Sequence, residues 1–532
     1  MHTCPNQKTS LYTRNIIGFL LSLFIILSGN ITAQTKEEVI ANIVKEENNN
    51  SQLEKLAHEL FDKIGPRLTG TPQMKQANDW AVAKYAGWGI PARNEQWGEW
   101  KGWERGITHI DMIKPRVRTL EGTQLAWSPS TNSKTVTAEL IIIPDLPDSM
   151  AFQQWLPNVK GKFVMISMNQ PTGRPDYNWQ EFATKESFDK MKEQRQKQTE
   201  AWNKRISKTG YSSRMLQVVL EKAGAAGIIS NTWANGFGSD RIFNAFTTTI
   251  PTVDIAVEDY GLLYRLIESG DAPVISIRAD SKEQGTVPTF NTIAEIKGTE
   301  KPDEYVVLSA HFDSWDGASG ATDNGTGSIL MMEAMRILKQ VYPHPKRTIL
   351  VGHWGSEEQG LNGSRAFVED HPEIVNKVQA LFNQDHGAGR AIGFGGQGFE
   401  HAKEFITRWI NAAPSNIKDS IKMTFPGTPA TGGSDDAPFV AAGAPAFSIG
   451  TLGWLYFNYT WHTTRDTYDK IVFDDLRTTT ILAAILAYMA SEDPESFPRA
   501  KASLGTDPKT GKEIKWPDPV KAIRKGPLPP KR

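Results

Sequence analysis

The hydrophobic pattern of the first hundred residues predicts two helices. A repeat with three- and four-residue spacing places four apolar side chains on one helical face: Leu53, Leu56, Leu60 and Ile64. Gly65 and Pro66 follow directly and end this helix. A second helical stretch contains Trp80, Ala81 and Tyr85, and the glycine- and proline-containing segment 87–91 ends it.

From residue 126 to residue 286 the pattern changes to short apolar runs that are typical of buried strands. The clearest runs are residues 140–143, 163–166 and 274–277. Between Arg174 and Gly210 lies a stretch rich in Lys, Gln and Glu, which predicts an exposed helix. This region gathers no metal ligands and no nucleophile, so it is interpreted as an inserted, β-rich accessory domain.

From Thr289 onward, strand and helix patterns alternate, which predicts a mostly parallel or mixed sheet in three layers, flanked by helices. Strands are predicted at 305–308, 348–351, 378–382 and 445–449, and helices at 329–341 and 476–489. The predicted division is 34–125 and 287–495 for an α/β domain, with the insert at 126–286. The tail at 496–532 is rich in Pro and Lys and is expected to be loosely held.

The first 33 residues are predicted to be a signal peptide. Lys8 and Arg14 precede an apolar run at 16–27, and Ala33 offers a small residue for cleavage. Twelve helical residues span about 18 Å, which is short for a membrane helix; an uncleaved anchor is the alternative. No later segment is apolar enough to span a membrane, so the mature protein is predicted to be periplasmic or secreted.

Charge and cysteine content exclude two functional classes. The 532-residue chain has 59 Lys and Arg against 60 Asp and Glu, so it lacks the excess of basic residues that nucleic-acid binding needs. The single cysteine, Cys4, precedes the apolar run and would be removed with the signal peptide. Thiol catalysis is therefore excluded, and an exported chain without disulfides depends on its core or on metal ions.

Potential metal ligands follow the predicted strands of the second half of the chain. They are His311 and Asp313, Asp323, Glu357 and Glu358, Asp385, and His462. In open α/β sheets, ligands bind beyond the carboxyl ends of the strands, where such side chains converge. Two histidines and three carboxylates from separate segments would suit two divalent ions that share one carboxylate.

Several motifs in this order closely resemble the M28 family of zinc exopeptidases. They are HFDS at 311–314, GATDNG at 320–325, EEQGLNGS at 357–364, Asp385, and HTTRDT at 462–467. The segment IGPRLTG at 64–70 also resembles this family, and the insert resembles its protease-associated domain. The resemblance covers nearly all of the chain beyond the signal peptide.

The resemblance implies a role for each of these residues. His311 and Asp385 would bind one zinc ion, Glu358 and His462 the other, and Asp323 would bridge the two. Glu357 would be the general base for a water held between the ions, and Asp313 would orient His311. Zinc is implied by the family alone, since oxygen and imidazole donors also accept Mn or Co.

Candidate substrate-binding residues lie in two further segments. The loop at 433–439 resembles a family loop near the substrate and contains Asp435 and Asp436. Tyr456, Tyr459 and Trp461 precede His462 and either line a specificity pocket or pack as ordinary aromatic residues.

The predicted function is hydrolysis of peptide bonds at a chain terminus, with an aminopeptidase as the first hypothesis and a peptide as the partner. A carboxypeptidase or dipeptidase of the same family is a close alternative, because the implied metal core is common to both. A glutaminyl cyclase with one zinc ion and a non-catalytic scaffold are further alternatives. The complete set of five ligands argues against both of these.

Overall fold

The computed structural model describes residues 34–506, 509 and 511–527. The predicted signal peptide lies outside the described residues. Among the described residues, no helix combines the length and apolar character that a membrane span requires.

The N-terminal segment forms the helices and the long strand that precede the insert. The elements are α1 (Lys36–Asn50), α2 (Leu53–Ala57), a π-helical turn (His58–Ile64), α3 (Pro72–Gly87), β1 (Ala92–Lys114), β2 (Arg118–Thr119) and β3 (Gly122–Gln124). The two predicted helices are confirmed: the apolar face of the first is buried, and the chain leaves it at Gly65 with φ of 83°.

The insert contains helices on both faces of short strands. The elements are β4 (Val136–Ile142), α4 (Ser149–Trp155), β5 (Phe163–Met165), α5 (Asp176–Phe182), α6 (Lys185–Ser207), α7 (Ser213–Lys222), β6 (Gly227–Ser230), β7 (Trp233–Gly236), β8 (Ser239–Asp240), β9 (Thr252–Ile255), α8 (Val257–Glu268) and β10 (Val274–Ile296). Phe163 and Met165 pack toward α8, whereas Val164 between them packs toward α4 and α7. The predicted charged helix is α6, and Met191 is its buried side chain.

The remaining elements alternate between strand and helix, as predicted. They are β11 (Lys301–His311), α9 (Thr326–Val341), β12 (Arg347–Trp354), α10 (Asn362–Asp370), α11 (Pro372–Val375), β13 (Val378–Asn383), β14 (Ala391–Gly395), α12 (Ala402–Ile410), α13 (Ser415–Lys418), β15 (Lys422–Thr424), α14 (Asp436–Ala441), β16 (Ala446–Thr451), α15 (Tyr456–Tyr459), α16 (Phe473–Glu492) and β17 (Lys525–Gly526).

The strands form a mixed sheet in which the central strands are parallel. β11 pairs in parallel with β12 and β13, and β13 pairs in parallel with β16. β10 pairs antiparallel with β12 and, through its first half, with β4 of the insert. The insert and the C-terminal half are therefore joined by continuous strand pairing, and the parallel strands direct their carboxyl ends to one edge.

Alternating side chains of β11 show the three layers. Val306 and Leu308 join the core formed with α9 and α16 on one face. Val307 points to the other face and joins the core formed with α10 and α14. A strand that is buried on both faces has a continuous apolar sequence, which explains why this pattern identifies it.

Strand β1 was not predicted from the sequence. Trp97, Trp100 and Trp103 are spaced by three residues, which does not match the two-residue period of a strand, yet all three are buried in one cluster. The pairing of β1 with β10 shifts register next to Gly98 and Gly102. These irregularities let residues three positions apart face the same side.

The expectation of a loosely held tail is wrong for the described residues. Trp516 donates from its indole nitrogen to the carbonyl of Val440 at 2.9 Å, and Phe497 is buried. Near the end of the described chain, Arg524 pairs with Glu369 at 2.9 Å, and β17 pairs with β1. Buried aromatic residues and an ion pair thus attach this segment to α10 and α14, although its Pro and Lys content is typical of a free tail.

Candidate metal centre and active site

The predicted ligands converge at the carboxyl edge of the parallel strands. His311 is the last residue of β11, Asp323 lies with non-helical backbone angles in the turn Ala321–Gly325 before α9, and Asp385 follows β13. Glu358 follows β12, and His462 lies between α15 and α16. The segments that follow β11, β12, β13 and β16 therefore bring these side chains to a common site.

The ligand atoms form two groups that share Asp323. In the first, Nε2 of His311 lies 3.0 Å from Oδ1 of Asp385 and 3.4 Å from Oδ1 of Asp323. In the second, Nε2 of His462 lies 2.8 Å from Oε2 of Glu358 and 3.3 Å from Oδ2 of Asp323. The two oxygens of Asp323 thus face different imidazoles, and the ligand atoms within each group lie within 4.8 Å of one another.

The unpaired oxygens of the site fit divalent cations. Oδ2 of Asp323 and Oε1 of Glu358 are buried and accept no hydrogen bond from the described residues. Burial raises the pKa of Glu358 well above its usual range, and the neighbouring Asp323 raises it further. A cation placed between these groups would satisfy the oxygens and stabilise the ionised carboxylates. The donor set of imidazole and carboxylate suits zinc and also accepts Mn or Co.

Glu357 lies beside the two groups, partly buried in the wall of a cavity that also contains Asp323, Glu358 and His462. Burial raises the pKa of Glu357 well above its usual range, with further increases from Asp385 and Glu358. The preceding residue, Ser356, has φ of 61°, so the chain turns sharply after β12. This turn gives Glu357 and Glu358 separate positions in the site.

Asp313 contacts the site differently from the prediction. Nδ1 of His311 lies 2.9 Å from the backbone oxygen of Asp313 and 3.8 Å from its carboxylate. The carboxylate instead accepts the backbone N–H groups of Glu357 at 3.0 Å and Glu358 at 3.3 Å. Asp313 therefore orients His311 through its main chain and anchors the Glu357–Glu358 turn through its side chain.

Two buried residues, to which the sequence analysis assigned no role, hold the backbone of the site in place. Asp466 accepts the backbone N–H of Thr322 at 2.8 Å and that of Asp323 at 3.0 Å. Arg67 is fully buried and donates to backbone oxygens on both sides of the same loop, those of Phe312 at 2.7 Å and Gly320 at 2.8 Å. Both residues lie within motifs that resemble the family, which was the available signal.

The insert directly contacts the segment that contains Trp461 and His462. The backbone N–H of Ile242 donates to the carbonyl of His462 at 2.7 Å. The Phe243 ring lies 5.3 Å from the His462 ring at an interplanar angle of 83°, and the Trp461 ring stacks on the His462 ring at 4.0 Å. His462 itself has φ of 61°, a conformation that its surroundings must stabilise.

Two cavities meet at Glu358. The first has a volume of about 320 Å³ and is lined by polar residues: Asp323, Glu357, Glu358, Arg365, Asp385, His386, Tyr456, Trp461 and His462, together with Leu361 and three glycines. The second has a volume of about 420 Å³ and a wall that is mainly aromatic: Trp100, Trp127, Phe243, Phe246 and Trp315, with Arg214 and Gln359 among its polar residues. A ligand beside Glu358 would have access to both cavities.

The predicted substrate-binding residues occupy different places. Tyr456 and Trp461 line the polar cavity. Tyr459 does not, because its hydroxyl contacts that of Tyr177 at 2.5 Å at the surface shared with the insert. Asp435 is buried and accepts a hydrogen bond from Ser364. Asp436 accepts one from Gln397 at 2.8 Å and does not line the cavity.

The region that contains this site matches a known protein family. Residues 291–487 match the profile of Peptidase family M28. Carboxypeptidase Q of Rattus norvegicus is 26% identical over 442 residues, which cover 83% of this chain and 85% of the relative.

Two solved structures have the same fold. One is a Peptidase M28 precursor from Shewanella amazonensis SB2B, with 24% identity, a TM-score of 0.64, and coverage of 87% of this chain and 98% of that chain. The other is BSAP, a zinc aminopeptidase from Bacillus subtilis, with 20% identity, a TM-score of 0.53, and coverage of 85% and 97%.

Proposed function

Because residues 291–487 belong to Peptidase family M28, we propose that this hydrolase is an exported two-zinc exopeptidase that cleaves short peptides at a chain terminus. His311 and Asp385 would hold one ion, Glu358 and His462 would hold the other, and Asp323 would contribute an oxygen to each. The observation that carries this proposal is the position of Asp323, whose two oxygens face His311 and His462 at 3.4 and 3.3 Å.

Glu357 is the general base of the proposed reaction. Zinc ions, when bound, would lower the pKa of a water molecule to about 7 and would polarise a carbonyl group. The Glu357 carboxylate accepts a proton from the attacking water and then donates it to the nitrogen of the leaving amine. Such proton transfer contributes about 10²- to 10⁴-fold to the rate. Asp313 fixes the backbone of Glu357 and thereby the position of this carboxylate.

The two candidate activities differ in the end of the peptide at which cleavage occurs. Release of an N-terminal residue is the activity predicted from the sequence. Carboxypeptidase or dipeptidase activity gains support from carboxypeptidase Q, whose similarity extends over 83% of this chain. A cyclase with one zinc ion gains less support, because Asp323, Glu358 and His462 form a second group of potential ligands beside the first.

The test combines metal analysis with peptide hydrolysis on protein that begins at residue 34. Zinc per chain is measured by mass spectrometry, and hydrolysis is measured with free-amine, N-blocked and dipeptide substrates. We expect two zinc ions per chain and cleavage of at least one substrate class. Two bound ions without hydrolysis of any peptide would contradict the proposed function, and one ion would contradict the shared role of Asp323.

A further inference from the structure

A third cavity borders the segment that precedes Glu357. Its volume is about 250 Å³, and it shares no lining residue with the polar cavity of the proposed active site. The start of α3, strands β1 and β10, and the residues that follow β12 form its wall. The wall is mainly apolar, through the side chains of Pro72, Met74, Trp97, Val287, Pro288 and Phe290.

Two buried polar groups in this wall have no hydrogen-bond partner. They are Nε1 of Trp97 and Oγ1 of Thr289, which make no hydrogen bond with the described residues. The two residues are only 3% and 6% exposed. Thr289 pairs with Gly98, the residue after Trp97, so the two groups enter the wall from neighbouring positions of β10 and β1. A buried polar group without a partner costs free energy, which a ligand that supplies the missing hydrogen bond would offset.

Other polar side chains of the wall already have partners. Lys75 pairs with Asp79 at 2.6 Å, and the side-chain amide of Asn78 donates to the hydroxyl of Thr292 at 2.9 Å. Lys75 is the charged side chain among the described residues of the wall. Because its charge is already paired, the cavity offers hydrogen bonds to an occupant but no free charge. The occupant that fits it is therefore neutral.

Size and hydrogen bonding together define the chemistry of the occupant. An apolar cavity of about 150 Å³ holds one benzene molecule, so a cavity of about 250 Å³ admits a ring with a short substituent. The indole of Trp97 only donates, whereas the hydroxyl of Thr289 donates or accepts. A carbonyl oxygen has two lone pairs and therefore accepts from both groups. An aromatic ring suits the remaining wall, because it packs favourably against Trp97 and Phe290.

The cavity also contacts two supports of Glu357. Gly355 lines the cavity two positions before Glu357, and a methyl group built on Gly355 would lie 3.2 Å from Nε1 of Trp97. Thr69 lines the cavity as well, and its hydroxyl donates to Oδ2 of Asp313 at 3.5 Å. The Asp313 carboxylate accepts the backbone N–H of Glu357 at 3.0 Å. An occupant of the cavity would therefore touch both segments that fix the position of Glu357.

We propose that this cavity binds a small neutral aromatic compound with one carbonyl group, whose oxygen accepts hydrogen bonds from Trp97 and Thr289. Through Gly355 and Thr69 the bound compound also acts on the position of Glu357, which makes it an effector and not a substrate. The effect on turnover rests on the proposed function, whereas binding to the cavity does not.

Calorimetry with acetophenone and α-methylstyrene, on the zinc-loaded chain that begins at residue 34, tests the ligand class. The two molecules share the ring and the branched substituent, and a CH₂ group replaces the carbonyl oxygen in α-methylstyrene. We expect acetophenone to bind with a Kd below about 1 mM. We expect α-methylstyrene to bind about 3- to 10-fold more weakly, because it leaves both polar groups unpaired. Equal affinities, or no saturable binding of acetophenone in this range, would overturn the inference.

Two variants test whether the ketone binds in this cavity. Thr289→Val keeps the shape of the side chain and removes the hydroxyl, and Trp97→Phe removes the N–H group. Each should weaken binding of acetophenone about 3- to 10-fold and leave α-methylstyrene within about threefold. Thr286→Val, at an exposed position of the same strand, is the matched control and should change neither affinity. Unchanged acetophenone binding in both variants, or an equal loss for both molecules, would contradict the assignment.

Peptide hydrolysis at saturating acetophenone tests the effect on Glu357. Because occupant and substrate use separate cavities, we expect kcat to change by at least about twofold while KM stays the same. An increase in KM alone would place acetophenone in the substrate site and overturn the inference, and unchanged kcat and KM would overturn the role as an effector. If no peptide is cleaved with or without acetophenone, the proposed function falls, and calorimetry still decides whether the cavity binds the ketone.

Discussion

The backbone N–H of Ile242 donates a hydrogen bond to the carbonyl oxygen of His462 at 2.7 Å. Ile242 lies in the insert, whereas His462 is the proposed ligand that follows β16. The next residue of the insert, Phe243, packs its ring against His462 and Trp315. The insert therefore contacts the proposed metal site and also contributes Trp127, Phe243 and Phe246 to the aromatic wall of the second cavity.

Substitution of Phe243 tests this contact. Phe243→Ala removes an edge-to-face ring contact, which is worth about 0.5–1.5 kcal/mol. We expect weaker zinc binding to the group that contains His462 and a kcat/KM about 10-fold lower. The matched control is Phe246→Ala, which changes the same cavity at a ring whose described aromatic and cation contacts do not include His462. Equal effects of both substitutions on zinc titrations would contradict a specific role of Phe243.

Removal of the proposed base tests the chemical step. Glu357→Gln keeps the shape of the side chain but cannot accept the proton from water. We expect normal zinc content and a kcat lower by at least about 10²-fold. Glu358→Gln, at the adjacent position, should lose zinc instead. Near-wild-type turnover of a Glu357→Gln enzyme with full zinc content would refute the assignment.

Asp323→Asn tests the shared carboxylate. The asparagine side chain is neutral, and its NH₂ group replaces one of the two carboxylate oxygens. Only the remaining amide oxygen can still bind a cation. We expect lower affinity for both zinc ions, measured by competition with a chelator. Loss of a single equivalent, with the second bound at wild-type affinity, would argue against a bridge.

Asp466 fixes the backbone at Asp323 by accepting the N–H groups of Thr322 and Asp323. In Asp466→Asn, the amide NH₂ group faces one of the two backbone N–H groups at Thr322 and Asp323. Both groups are donors, so that hydrogen bond is lost. We expect the free energy of unfolding to fall by about 1–3 kcal/mol and zinc affinity to fall about 10- to 100-fold. Chemical denaturation and zinc titration measure these effects. The exposed residue Asp469 provides a control through Asp469→Asn, and a parallel decrease in that variant would contradict the prediction.

Glu47 makes stability depend on pH at a place remote from the metal site. Burial and the neighbouring Glu333 carboxylate raise the pKa of Glu47 from 4.5 to about 8. The folded state therefore binds more protons than the unfolded state between these values, and stability decreases as the pH rises through this range. We expect Glu47→Gln to be more stable than the wild type at pH 9 by about 1–3 kcal/mol, with little difference at pH 4.

Urea unfolding at both pH values measures this effect. Glu37→Gln, on the same helix at an exposed position, is the control. An equal difference between wild type and Glu47→Gln at both pH values would mean that the carboxyl group does not titrate as predicted.

The parallel strands and their ligands were accessible from the sequence because both depend on local patterns. Strand β11 has an apolar run that marks burial on both faces, and His311 stands at its end. The spacing of Glu357 and Glu358 after β12 similarly places them at the same edge. Strand β1 was not accessible, because its pairing with β10 shifts register at Gly98 and Gly102 and hides the two-residue period.

Only the tertiary structure decides how these side chains are supported. Asp466 meets Asp323 across 143 positions of sequence, and the carboxylate of Asp313 contacts the backbone of Glu357 across 44. Residue type and spacing determined which chemistry the chain carries, since metal binding requires particular donors. The orientation of those donors depends on contacts between distant segments, which a linear pattern does not contain.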